Sequence, residues 1–203
     1  MRFPKFLPPV VACCLTVAAC SSSPKKPQAK PGVTGTTAVQ VSLHQIGTAD
    51  LVSPARGTRR LDEGTSKAVL ASVQQLFDAT LLDPLTKGQA GSIDRVMTND
   101  AVQKAAGVDR AAMYDEDLPR VTRVDAPKAF VQLTGLAGDN DAPALVVAKI
   151  AWDVTGDGGT VHIVRSGELS LIPVYGTWLI GAYNVANSRV VNGTTTTSTA
   201  VKK

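Results

Sequence analysis

The chain has 203 residues, 44% of them apolar, and carries a formal net charge of +4 at pH 7, enough for one domain of ordinary size with a real core. The pI near 9.1 invites a nucleic-acid reading. Over residues 61–188, however, ten basic residues face sixteen acidic ones, so that span stands near −6 and nucleic-acid binding loses its main support.

The chain opens with Arg2 and Lys5 and an apolar run from Leu7 to Ala19 that ends in small residues. That is the charge, core and cleavage pattern of a signal peptide. At about 13 residues the run is shorter than the roughly 20 that span a bilayer, and Pro8-Pro9 interrupts its start. Val17-Ala18-Ala19-Cys20 resembles the bacterial lipobox. The resemblance implies cleavage between Ala19 and Cys20, removal of residues 1–19 and lipid attachment to Cys20. The protein would then sit on the extracytoplasmic face of the cell membrane. An ordinary secretory signal is the competing reading of the same small residues. Cys13 and Cys14 lie in the removed segment, so the mature chain keeps one cysteine and forms no internal disulfide.

Residues 20–60, rich in Pro, Ser, Gly, Thr and Lys, read as a flexible lipidated tether. Its basic residues, from Lys25 to Arg60, suit an anionic membrane surface. Val39–Leu43 alternates and reads as an added edge strand.

From Thr65 the apolar residues fall at helical spacing: Val69, Val73, Leu76, Phe77 and Leu81 form one stripe. Asp83-Pro84 is expected to stop this helix. Ser92 is a cap for a short helix carrying Ile93, Val96 and Met97, and Asn99 or Asp100 for another through Ala106, closed by Gly107. From Leu118 the period becomes two. Val121–Val124 and Ala129–Thr134 flank a turn at Asp125–Lys128, and Leu145–Val154, Val161–Ile172 and Trp178–Val185 follow as an antiparallel meander. Helices first and strands after predict an α+β domain over residues 61–188, with the helices on one face of a curved sheet. The tail, 189–203, reads as disordered. Its threonines and those at Thr34–Thr37 offer hydroxyls for glycosylation.

This order, with Gly176, Trp178, Ile180 and Tyr183 in the last strand, resembles the NTF2-like (cystatin-like, SnoaL-type) α+β cone. With the lipobox ahead of it, the whole chain resembles the NTF2-like lipoproteins of high-GC Gram-positive envelopes. The resemblance implies a pocket in the cone.

The familiar catalytic signatures are absent: no HExxH, no Gly-x-Ser-x-Gly, no phosphate-binding glycine loop. The Asp-rich turns at Asp139–Asp141 and Asp153–Gly158 lack the spacing of a calcium loop, and no metal or cofactor is expected. On the strand Val161–Leu171, Arg165 interrupts an otherwise apolar face, and a buried charge needs a partner. Asp153 and Lys149 share a face of the preceding strand and are the expected neighbours. Arg165 and Asp153 are therefore the candidate ligand-binding residues, the competing reading being a structural ion pair. His162 points to the other face. Tyr114–Asp117 reads as a solvated loop or a pocket rim. The expected function is a non-catalytic, lipid-anchored module that binds a hydrophobic ligand or an envelope protein. A small isomerase or dehydratase of the cone type is the alternative.

Overall fold

The computed structural model describes residues 39–200. The expected signal segment with Ala19, the expected lipid site Cys20 and the start of the expected tether lie outside the described residues.

A helix, α1 (Glu63–Phe77), opens the main fold. Asp62 caps it by accepting the Thr65 N–H at 2.8 Å, and Val69, Val73, Leu76 and Phe77 bury its stripe. The chain does not leave helical geometry at Pro84. A π-helical turn (Asp78–Leu82) leads directly into α2 (Asp83–Lys87), which ends at Gly88 in the left-handed region, φ 73°. Pro84 sits in the first turn of α2, where a proline is tolerated. Two short helices follow, α3 (Asn99–Ala106) and α4 (Arg110–Met113). The helix expected after Ser92 does not form. Ser92 instead makes a local turn with Asp94, while Ile93, Val96 and Met97 are buried and Met97 bridges to Ile180.

The strands are β1 (His44–Gln45), β2 (Asp50–Ser53), β3 (Gly57–Arg60), β4 (Val124–Ala137), β5 (Pro143–Gly156), β6 (Val161–Val174), β7 (Thr177–Val191) and β8 (Thr194–Ala200). They form one mixed sheet ordered β3-β2-β4-β5-β6-β7-β8, with β1 also on β4. β4 to β7 form the expected antiparallel meander, β8 extends it, and β1 and β2 run parallel to β4.

This corrects the expected fold. Strands take 46% and helix 25%, with one main helix, which is too β-rich for an NTF2-like α+β cone fronted by helices. The difference has three local causes. Residues 39–60, expected as the end of the tether, carry β1 to β3; Val39–Leu43 itself is not a strand but is pinned to α1 through Gln74. The tail expected as disordered supplies β8 and the end of β7. The turn expected at Asp125–Lys128 is a bulge inside the single long β4, and a bulge lets Pro127 sit in a strand without a ladder bond.

The helix-covered face of the sheet carries the core. Leu76, Phe77 and Leu81 belong to one buried cluster with Ala148, Ile150, Trp152, Ile163 and Leu169, and Phe77 meets Trp152 edge to face at 4.9 Å and 87°. In β6, Gly167 (φ 151°) lies so close to β7 that a Cβ there would collide with the Asn184 carbonyl oxygen. The other face of β4 to β7 is not covered by the helices.

Candidate functional site

Arg165 lies on the core face of β6, as its alternation requires. It is 1% exposed. Its row across the sheet reads Ala129, Trp152, Arg165, Asn187 and Ser198, in register from β4 to β8. The guanidinium stands over the Trp152 ring, 5.7 Å from its centroid.

Its partner is Asp115, not Asp153. Nη2 donates to Asp115 Oδ2 at 2.5 Å and Nη1 to Thr80 Oγ1 at 2.7 Å. Asp115, fully buried, also accepts from Asn187 Nδ2 at 2.7 Å and pairs with Arg189 at 2.8 Å. Arg189 in turn donates to the carbonyls of Ala111 and Tyr114. Burial pushes the Arg165 guanidinium down from the usual arginine range, and Asp115 opposes that shift. Arginine nevertheless stays charged in proteins.

The π-helical turn helps to hold Asp115. Its Asp83 N–H bonds five residues back to the Asp78 carbonyl, and Pro84 has no N–H for the next carbonyl, Ala79, which accepts from Gly91 at 2.8 Å. The Thr80 carbonyl beside it accepts the Asp115 backbone N–H at 3.0 Å. The Thr80 hydroxyl donates to the Leu76 carbonyl at 2.8 Å and accepts from Arg165. Thus Thr80, in the turn just before the Asp-Pro that sequence reading takes for a helix stop, anchors a carboxylate from a distant loop. Two guanidiniums on one carboxylate leave this cluster near +1. Arg165 Nε, Trp152 Nε1 and Asn187 Oδ1 find no hydrogen-bond partner among the described residues.

The expectation that Asp153 lies near Arg165 is therefore corrected. Asp153 is the register partner of Val164, one residue out of phase with Arg165, and a one-residue offset puts a side chain on the opposite face. There its carboxylate meets His162 Nε2 at 2.8 Å, with both side chains partly exposed. Lys149, on the same uncovered face, is the register partner of Glu168. Asp115 escaped sequence reading because it sits in an acidic run, Tyr114–Asp117, that looks solvated. Of its acidic neighbours, Asp117 is exposed and Glu116 is half-exposed in a two-bond pair with Arg110 at 2.6 and 2.8 Å.

The uncovered face carries a groove of about 660 Å³. Two adjacent rows of the sheet build it: Phe130, Ala151, Ser166 and Ala186, then Gln132, Lys149, Glu168 and Asn184. The first row has three small side chains between Phe130 and β8, which makes a low floor. Ile46, just after β1, stands with Phe130 at one end, and the second row gives a polar wall with one cation and one anion. Asp153 and His162 lie further along the same face. Among the described residues no group of three or more His, Cys, Asp or Glu side chains is placed to hold a metal ion. Comparison with protein-family models, with curated proteins and with solved structures finds no match.

Proposed function

We propose that the protein is a lipid-anchored, extracytoplasmic binding module, held to the cell membrane through Cys20, whose groove on the uncovered face of the sheet receives a hydrophobic ligand with a polar end. The observation that carries this reading is the groove itself. A floor of Ala151, Ser166 and Ala186, ended by Ile46 and Phe130, matches an apolar chain, and Lys149 beside Glu168 matches a polar or zwitterionic head. Arg165 does not take that part, because Asp115 and Thr80 occupy its guanidinium.

Native mass spectrometry of the protein extracted from membranes tests the reading: a lipid-sized adduct is expected. Ala151→Trp fills the groove from an exposed position and should remove the adduct while leaving thermal melting within a few degrees of the parent. An adduct that survives Ala151→Trp, or its absence from the parent, would overturn the groove assignment. The anchor is tested separately: Cys20→Ala should release the protein from the membrane or leave it uncleaved, and a mature-sized, membrane-bound variant would refute it.

A further inference from the structure

The sheet has two edges, and they differ. At one, β3 carries Arg59 and Arg60, with Arg56 in the turn before it. Edge arginines keep strands from adding on. At the other, β8 reads Thr-Thr-Thr-Thr-Ser-Thr-Ala, with no charge, no proline and no glycine. Its register with β7 is unbroken over seven pairs, and among the described residues no strand pairs with its outer side. β-branched threonine suits a strand, so this edge is left open in the way proteins usually avoid.

Its hydrogen-bonding phase follows from the turn. Asn192 and Gly193 both have positive φ, 49° and 82°, the signature of a two-residue type I′ hairpin. The flanking pair Val191 and Thr194 is then hydrogen-bonded, and pairs alternate from there. Thr194, Thr196, Ser198 and Ala200 spend their backbone groups on β7. Thr195, Thr197 and Thr199 point theirs outward. These three positions are symmetric about Thr197.

We propose that two copies of this chain associate through antiparallel pairing of their β8 edges about a twofold axis at Thr197. Thr197 faces Thr197 of the second copy, and each Thr195 faces a Thr199, which gives three reciprocal pairs of backbone bonds. The occupant is a second copy because the outward set is its own complement under a twofold, the arrangement an isologous interface requires. Facing threonines also pair favourably, and no like charges meet. A single pair of strands is a small interface, so the association is weak and concentration-dependent.

Cysteine cross-linking tests the register. In the full chain with Cys13, Cys14 and Cys20 replaced by serine, Thr197→Cys should oxidise to a disulfide-linked dimer. Hydrogen-bonded partners stand about 5.5 Å apart at Cα, within disulfide reach. Thr195→Cys and Thr199→Cys should each cross-link with themselves roughly tenfold more slowly or worse, yet with one another readily when mixed, since proximity sets the effective concentration. Thr197→Lys, at an exposed position whose backbone groups point away from β7, should abolish the concentration-dependent dimer seen by sedimentation equilibrium while leaving thermal melting unchanged. Equal rates at 195, 197 and 199, or a parent protein that sediments as a monomer at all concentrations, would overturn the proposal.

Discussion

Replacing Asp115 by asparagine keeps the shape of the side chain and removes its charge. Arg165, 1% exposed, then loses the one carboxylate it pairs with among the described residues, and Arg189 loses the same one. Two guanidiniums are left to repel each other out of water. Breaking a buried pair from one side costs about 3–5 kcal/mol. At ~2–4 °C per kcal/mol for a chain of this size, melting should fall by roughly 6–20 °C. Arg165→Met acts on the same cluster but strands less. Asp115 keeps Arg189 at 2.8 Å and Asn187 at 2.7 Å, and the Thr80 hydroxyl keeps its bond to Leu76. That loss is about 1–3 kcal/mol, the scale of one charged hydrogen bond. Urea unfolding of both variants and of the double variant measures the order and the coupling, and the double should cost less than the sum. If Arg165→Met proves as costly as Asp115→Asn, or if both lie within ~0.5 kcal/mol of the parent, the shared-carboxylate account is wrong.

Phe77→Ala removes a fully buried ring that meets Trp152 at 4.9 Å. It should cost about 3–5 kcal/mol in urea unfolding, and a loss under 1 kcal/mol would mean that the helix packing is misread. Gly167→Ala forces β6 and β7 apart at the Asn184 carbonyl; a folded variant with unchanged amide-exchange protection in both strands would contradict that contact. Asp157 accepts from the backbone N–H groups of Thr122 and Arg123 and from the Thr122 hydroxyl, and the Thr122 backbone bond is the largest of the causes that hold its carboxyl below its ordinary 3.8. A depressed acid stabilises the fold above its unfolded value and loses that contribution as pH falls below it. Asp157→Asn should therefore flatten stability against pH only below about pH 4. A change confined to neutral pH would refute the assignment.

Alternation was enough to put Arg165 on the core face of β6, because strand side chains repeat every two residues and its neighbours Ile163, Leu169 and Leu171 are buried. The stripe from Val69 to Leu81 likewise identified the helix that covers it. The identity of the partner was beyond such reasoning. Periodicity says which way a charge points but not which loop returns to meet it, and Asp115 lies fifty residues away in sequence within a run that looks solvated. Neither could the sequence show that the π-helical turn before Pro84 presents the Thr80 carbonyl to Asp115, since that bond exists only once the loop has docked. Residues 39–60 and 194–200 were hidden for a different reason. Their composition is that of linkers, and a marginal strand becomes ordered because an already formed neighbour, β4 or β7, presents a row of backbone donors and acceptors. That row belongs to the tertiary structure, and the edge segments borrow their conformation from it.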